Sequence, residues 1–121
     1  IISLEPMESL RYLPYLNKEG WVVTNSQPFI NIPNYPEVDK VMAELDKLPH
    51  KVVLDVETLA KEAGNVRASN IVMLGAASPF LGIDYDKIAD GIRQIFARKG
   101  EEIVNMNLKA LKAGFDVANQ R

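Results

Sequence analysis

The first half of the chain alternates between short apolar runs and amphipathic stretches. Three runs rich in β-branched and other apolar residues predict β-strands: residues 1–5, 21–25 and 51–56. Two stretches with apolar positions at helical spacing predict helices between them: residues 6–16, ended early by Pro14, and residues 36–48, ended by Pro49. The segment 27–36 carries three prolines. It therefore favours an extended loop that either packs on its own domain or meets another protein.

The second half of the chain is predicted to be helical. Four helices are expected, over residues 58–63, 66–82, 85–98 and from 101 onward, with Gly64 capping the end of the first and Asp84 as the N-cap of the third. The third helix is expected to bury Ile88, Ile92, Ile95 and Phe96. The last is expected to bury one stripe of Val104, Leu108, Leu111, Phe115 and Ala118, and a second of Ile103, Met106, Ala110 and Val117.

The order of these elements indicates the fold class. Strands that alternate with helices predict an α/β fold with a mainly parallel sheet, and such a sheet carries helices on both faces. We therefore expect a three-layer domain with a C-terminal helical segment. Three short strands make a small sheet for such a domain, which indicates that N-terminal strands are lacking. No linker divides residues 1–121, so we expect a single domain. The incomplete sheet and the wide apolar helix faces favour a homo-oligomer or a complex with another subunit.

Composition excludes several classes of function. The 121 residues include 14 basic and 16 acidic side chains, and this small acidic excess argues against a nucleic-acid-binding protein. There is no cysteine and one histidine, His50, so thiolate metal sites and a cysteine nucleophile are excluded and no catalytic or metal-binding residue is assigned. The longest apolar run, residues 71–83, is too short to span a bilayer, and no signal peptide is recognised. We expect a cytoplasmic protein that is not an enzyme on its own.

Polar residues follow each predicted strand and form the candidate site. Glu5, Asn25 and Asp55 come at the ends of the three strands, and ligands of open α/β sheets bind beyond the carboxyl ends of parallel strands. Polar residues are also ordinary at strand ends, so a structural role stays open for each of them. Asn70 opens an otherwise apolar helix, where it either makes a helix-terminal hydrogen bond or contacts a ligand or a partner subunit.

Other candidate motifs favour structural explanations. Gly75 and Gly82 flank an apolar stretch, and they suit close helix packing and a helix end better than a phosphate-binding loop. The carboxylate pairs 84/86 and 101/102 stand at predicted helix starts, where negative charge complements the helix dipole. His50 lies between a proline and a strand and is expected to be a solvated surface residue.

Four segments resemble the γ-type domain of the 2-oxoacid:acceptor oxidoreductases, and within that family the small subunits of the indolepyruvate type. They are SLEPMESLRYLPYL, GWVVTNSQPFINIPNYP, VRASNIVMLGAASPFLGI and EEIVNMNLKALKAGF, in this order. Domains of the family usually begin with a glycine-rich GxGGQG turn, which is absent here. The resemblance therefore implies that residues 1–121 are the C-terminal part of a larger γ-type domain. Glu5, Asn25 and Asn70 fall on family-like segments, on the substrate or coenzyme A side or at a subunit contact.

The resemblance also implies a function. The family decarboxylates 2-oxoacids on thiamine diphosphate with Mg²⁺, passes electrons through iron–sulfur clusters to ferredoxin, and forms an acyl-coenzyme A. In the indolepyruvate type the thiamine and cluster modules belong to a large subunit, so this chain is expected to bind none of these cofactors alone. The alternative is a stand-alone, non-catalytic α/β domain that binds a ligand or acts as a scaffold.

Overall fold

The described residues of a computed structural model are 1–27 and 37–120, and they form a three-stranded sheet and six α-helices. The strands are β1 (Ile2–Ser3), β2 (Val22–Asn25) and β3 (Lys51–Leu54). The helices are α1 (Pro6–Arg11), α2 (Val38–Asp46), α3 (Val56–Glu62), α4 (Ser69–Ala77), α5 (Tyr85–Phe96) and α6 (Glu101–Asn119). The chain divides into two compact units, a sheet unit up to residue 55 and a helical unit from residue 56.

The sheet unit is built on a parallel sheet in the order β1-β2-β3. Val22 points to the face covered by α1 and α2, where it forms a buried cluster with Val41 and Leu45. Partly buried side chains surround this cluster: Ile1, Met7, Leu10, Leu13, Leu16, Met42 and Leu48. Because side chains alternate along a strand, Val23 and Asn25 point to the opposite face, and both are buried as well.

Proline and an acidic cap define the start of α1. Pro6 occupies the first turn, where its missing N–H costs no hydrogen bond, and it is preceded by Glu5 in an extended conformation. The helix ends at Arg11, and Pro14 then lies in a 3₁₀ turn over Leu13–Tyr15. This early end confirms the sequence-based prediction.

The helical unit is centred on the contact between α4 and α6. A Cβ atom on Gly75 would overlap the backbone carbonyl of Leu111, and one on Gly114 would overlap the carbonyl of Val72. The two helix backbones therefore touch at reciprocal glycines, which only the absence of a side chain permits. The expectation that Gly75 serves close helix packing is confirmed.

Helix α5 packs on α6 through one apolar face. Ala89 and Ile92 are buried and form a cluster with Leu111 of α6. Near the start of α5, the rings of Tyr85 and Phe115 lie with their centroids 4.6 Å apart. The apolar face of the amphipathic helix α5 thus packs on α6, and its opposite face stays exposed to solvent.

The α/β class and the parallel sheet are confirmed, and several details differ from the sequence-based predictions. The strand predicted over 51–56 ends at Leu54, and Val56 already begins α3. The helix predicted over 66–82 is divided into a 3₁₀ turn, α4 and a second 3₁₀ turn over Ser78–Phe80. Pro79 lies in that second turn, and because it cannot donate to the helical ladder it ends α4. The prediction for the proline-rich loop falls mostly on residues 28–36, outside the described residues.

Two residue-level expectations were wrong. Ile95, expected in the core, is 72% exposed because it lies on the face of α5 that points away from α6. Asp84 occupies the N-cap position of α5, as predicted, although its side chain makes no capping hydrogen bond. In α6 the buried positions include Asn107 and Gly114, whereas Val104 and Phe115 of the predicted stripe are only partly buried. Gly114 takes its position because the backbone of α4 approaches too closely there for any side chain.

Candidate functional site

The carboxyl ends of the three strands meet at one edge of the sheet. Ser3 pairs with Thr24, and Asn25 pairs with Leu54, so the parallel register places the following residues side by side. The N–H of Ser26 donates to the carbonyl of Leu54 at 2.9 Å and extends this pairing beyond β2. Glu5, Asn25 and Asp55, predicted to lie at this edge, are therefore all positioned there. We call these three residues the sheet-edge group.

Asn25 ties the backbone of this edge together. Its side chain is 1% exposed, and its Nδ2 donates to the carbonyl of Leu4 at 3.2 Å and to the carbonyl of Gln27 at 3.1 Å. A buried amide that bridges two carbonyls fixes the chain as it leaves β1 and β2. Asn25 therefore determines the shape of the edge.

Glu5 caps α1. The N–H of Met7 donates to its Oε1 at 2.6 Å, so the carboxylate lies at the positive end of the helix dipole. Ser3 reinforces this turn, since its hydroxyl donates to the carbonyl of Glu5 at 2.6 Å and accepts from the N–H of Glu5 at 3.1 Å. The carboxylate of Glu5 is thus held in place by local hydrogen bonds.

Asn70 belongs to the helical unit and is exposed in the first turn of α4. It lines a cleft of about 550 Å³, which we call the amide cleft. The other polar lining residues are Asn65, Arg67, Lys99 and Asn107. The Asn65 side chain accepts a hydrogen bond from the N–H of Arg67 at 3.0 Å and so begins the 3₁₀ turn before α4. The cleft brings together three amides and two cations.

Sequence reasoning did not single out Arg67, Lys99 or Asn107. The signal for Asn107 was present, because it is a polar residue between Val104 and Leu111 on the apolar stripe of α6. The sequence carries no such signal for the two basic residues. Arg67 and Lys99 are ordinary exposed residues, and only the fold places them at one cleft.

The remaining candidates have structural roles. Gly82 lies two residues beyond the 3₁₀ turn over Ser78–Phe80 and adopts a φ of +70°, a left-handed conformation that glycine adopts without steric cost. The carboxylate pairs 84/86 and 101/102 lie at the beginnings of α5 and α6. His50 is half-buried and lies against Trp21 with ring centroids 4.9 Å apart, so it is less solvated than the sequence-based prediction of a surface histidine implied.

One titratable group of the helical unit is perturbed. Burial raises the pKa of Tyr85 above its ordinary value of 10.0, and the charge of Asp116 raises it further. Arg93 acts in the opposite direction, and Asp86 adds a smaller increase. The phenol therefore stays protonated at neutral pH and can serve as a hydrogen-bond donor.

The described residues show neither a metal-binding cluster nor a membrane-spanning helix. Residues 1–27 and 37–120 contain no group of three or more His, Asp or Glu side chains placed to hold a metal ion. No helix in the same ranges combines the length and apolar character needed to cross a membrane.

Comparisons with known proteins give a consistent family. The family described as pyruvate ferredoxin/flavodoxin oxidoreductase matches residues 1–117. The chain is 34% identical to an indolepyruvate oxidoreductase subunit IorB of Archaeoglobus fulgidus, over 98% of this chain and 62% of that protein. It is also 34% identical to the subunit of the same name from Thermococcus kodakarensis, over 99% of this chain and 63% of that protein. The chain therefore spans less than two-thirds of the length of these relatives.

A solved structure shares the fold. The 2-oxoglutarate:ferredoxin oxidoreductase from Magnetococcus marinus, determined with 2-oxoglutarate, coenzyme A and succinyl-CoA bound, aligns with a TM-score of 0.70. The alignment covers 100% of this chain and 20% of that one, at 20% sequence identity. The similarity places the chain in the same α/β fold.

Proposed function

The chain belongs to the pyruvate ferredoxin/flavodoxin oxidoreductase family, and from this premise we propose that it is part of an accessory subunit of a thiamine diphosphate-dependent 2-oxoacid:ferredoxin oxidoreductase. The enzyme is of the indolepyruvate type. It converts an aryl 2-oxoacid and coenzyme A to the acyl-coenzyme A and CO₂, and the electron pair passes to ferredoxin. The observation that carries this proposal is the 34% identity to an indolepyruvate oxidoreductase subunit over 98% of the chain.

Residues 1–121 form the C-terminal part of a larger γ-type domain in this proposal. The support is that the alignments cover 98% and 99% of this chain but only 62% and 63% of the two relatives. Both compact units then belong to one domain, whose remaining strands lie elsewhere in the full-length subunit. A cytoplasmic location stays a prediction from the sequence.

The chemistry-bearing cofactors are assigned to a large partner subunit. The chain has no cysteine for an iron–sulfur cluster, and the described residues contain no acidic or histidine group that fits Mg²⁺. Thiamine diphosphate, when bound to the partner, supplies the carbanion chemistry of decarboxylation. The described residues thus offer no ligand set for a cluster or for Mg²⁺, and we derive no chemical step through these groups.

This chain's own contribution is to shape the coenzyme A or substrate side of the shared site. Asn25 and Glu5 are proposed to act through the backbone, because their side chains already hold the loops after β1 and β2. Asn70 is proposed to act by direct contact with a ligand or the partner subunit, because it is exposed. These are positioning roles, and no residue of this chain is assigned a catalytic role.

Reconstitution tests the proposal. The full-length protein that carries this chain is co-expressed with the thiamine-binding large subunit encoded in the same genome. We expect the two to copurify and to reduce methyl viologen only when indolepyruvate and coenzyme A are both present. The small subunit alone is expected to give no turnover. Dye reduction by the small subunit alone would overturn the proposal, and a failure to copurify would favour the stand-alone binding domain.

The role of Asn70 is tested in the same complex. We expect Asn70→Ala to raise the KM for coenzyme A or to weaken copurification, because an exposed polar contact is lost. Asn105→Ala is the matched control, since Asn105 is an exposed asparagine of α6 that does not line the amide cleft. Equal behaviour of the two variants would show that Asn70 has no role in the shared site.

A further inference from the structure

The amide cleft has the properties of a small-molecule site. Its volume of about 550 Å³ lies in the range of ligand-binding pockets, and its lining comes from the turn before α4, α4 itself, the end of α5 and α6. Its large apolar lining residues, which together we call the apolar wall, are Ile71, Phe96, Ile103 and Met106. A site that combines such a wall with a few polar groups recognises a ligand with an apolar body and a polar head.

The charge of the cleft is positive. Arg67 and Lys99 line it, and no carboxylate side chain does. The ion pairs formed among the described residues involve other cations, so the charges of these two side chains are not neutralised there. Lys99 is instead placed near the ring of Phe96, with its Nζ 5.9 Å from the centroid. Arginine and lysine together match a phosphate group, because a guanidinium binds two oxygens and an ammonium supplies a compact charge.

A buried amide completes the site. Asn107 lines the cleft although only 3% of its surface is exposed, and its Nδ2 donates to the carbonyl of Ile103 at 2.9 Å. The described residues offer its Oδ1 no hydrogen bond. No polar side-chain atom in the described ranges is both sealed from solvent and without a partner, so this oxygen keeps some contact with solvent, at a residue that lines the cleft. An acceptor at the lining of a cleft favours a ligand that carries a hydroxyl or N–H donor.

We propose that the amide cleft binds a small phosphomonoester that carries an apolar or aromatic body. Arg67 and Lys99 bind the phosphate, the apolar wall contacts the body, and Asn107 accepts a hydrogen bond from the ligand. The proposal rests on residues of the helical unit alone. It is argued from the lining of this cleft and not from the family comparisons, although Asn70, which the proposed function assigns to the shared site, also lines the cleft. Coenzyme A also carries a phosphomonoester, so the ligand is either coenzyme A or a separate metabolite with the same chemistry.

Calorimetric titration of the full-length protein tests the site. The probes are phenyl phosphate, inorganic phosphate and phenol. We expect phenyl phosphate to bind more tightly than either fragment, because it alone engages both the cations and the apolar wall. Arg67→Met and Lys99→Met are each expected to weaken its binding by about tenfold or more, the loss typical of a charge-assisted hydrogen bond. Both residues are exposed, so neither substitution disturbs the core.

Arg98→Met is the matched control. Arg98 is an exposed neighbour of Lys99 that does not line the cleft, so its loss changes the net charge equally without touching the site. Binding that is unchanged in this variant supports the proposal. Equal weakening in all three variants, or no binding of phenyl phosphate, would overturn it. Inorganic phosphate that binds as tightly as phenyl phosphate would overturn the role of the apolar wall.

A competition arm separates the two sources of the ligand. If coenzyme A displaces phenyl phosphate from the protein, and Arg67→Met weakens both, the cleft belongs to the coenzyme A side of the shared site. If phenyl phosphate stays bound at saturating coenzyme A, the cleft binds a separate phosphorylated metabolite. Both results are consistent with a phosphate-binding site in the cleft, and they differ only in the ligand that fills it.

Discussion

At the scale of single residues, Gly75 and Gly114 determine how closely α4 and α6 approach. Each lies against a backbone carbonyl of the opposite helix, at Leu111 and Val72, so an added methyl group meets backbone that cannot rotate away. A glycine in a helix interior costs stability relative to alanine unless such a contact requires it. The two glycines therefore have a packing role that outweighs their low helix propensity.

Alanine substitution tests this packing. Gly75→Ala is expected to lower the free energy of unfolding by about 1–3 kcal/mol, because α4 and α6 must separate to admit the methyl group. Gly91→Ala in α5 is the control, since a Cβ there meets no atom within 4 Å. That variant is expected to gain up to about 1 kcal/mol from helix propensity. Urea denaturation measures both, and a neutral or stabilising Gly75→Ala would contradict the packing role.

A second residue-scale prediction concerns Tyr85. Its pKa is raised in the folded chain, first by burial and then by Asp116, so the folded state keeps the phenol proton at a pH where the unfolded chain has lost it. The contribution of Tyr85 to the free energy of unfolding is therefore fully present below pH 10.0, the ordinary pKa, and is lost as the pH rises above that value. Tyr85→Phe removes this titration. We expect the wild-type protein to lose stability relative to Tyr85→Phe as urea denaturation is repeated at increasing alkaline pH.

Asp116→Asn provides the comparison for this pH dependence. Removing the carboxylate removes a charge that raises the pKa of Tyr85, so the alkaline loss of stability should be smaller than in the wild type. If the free energy of unfolding depended on pH in the same way in the wild type and in Tyr85→Phe, Tyr85 would not contribute to the alkaline loss of stability.

At the scale of elements, α5 shows how one amphipathic helix chooses its buried face. Ile88, Ile92 and Phe96 contact the cluster around Leu111 of α6, whereas Ile95 points away from it. Ile92 and Ile95 are three residues apart and both apolar, so periodicity alone assigns both to one broad stripe. The position of α6 decides between them.

Two truncations compare these isoleucines. Ile92→Ala is expected to lower the free energy of unfolding by about 2–5 kcal/mol, because Ile92 is 3% exposed and its loss leaves a cavity. Ile95→Ala is expected to change stability by less than about 0.5 kcal/mol, since the side chain is 72% exposed. Similar losses for the two variants would mean that Ile95 is covered, either by a second copy or by residues beyond those described.

At the scale of the whole molecule, the chain consists of a small parallel sheet with its helices and a separate helical unit. Large apolar side chains are exposed in both units, including Ile2 and Tyr15 in the first and Ile83 and Ile95 in the second. Contact with a partner that covered these side chains would remove their apolar surface from water.

Assembly is the prediction at this scale. We expect the full-length protein to self-associate when it is purified without a large subunit, because association removes exposed apolar surface from water. Light scattering at increasing protein concentration measures the mass. A monodisperse monomer at high concentration would contradict this expectation, and a change from homo-oligomer to hetero-oligomer on adding the large subunit would support the proposed complex.

The amino-acid sequence by itself determined the local elements and the chemistry available. Proline and glycine positions, β-branched runs and helical periodicity act over a few residues, so they located β2, α2 and the start of α6 correctly. The order of strands and helices determined the parallel sheet, because such connections have one favoured arrangement. The absence of cysteine limited the cofactors that this chain can hold.

Only the tertiary structure decided what depends on residues far apart in the chain. Asn25 bonds to the carbonyl of Leu4, 21 residues away, and Gly75 meets the carbonyl of Leu111. Arg67, Lys99 and Asn107 line one cleft although they belong to different elements. Local patterns carry no information on which helix faces which. The exposure of Ile95 and the composition of the amide cleft follow from packing, in which close backbone contact and the burial of apolar surface select one arrangement.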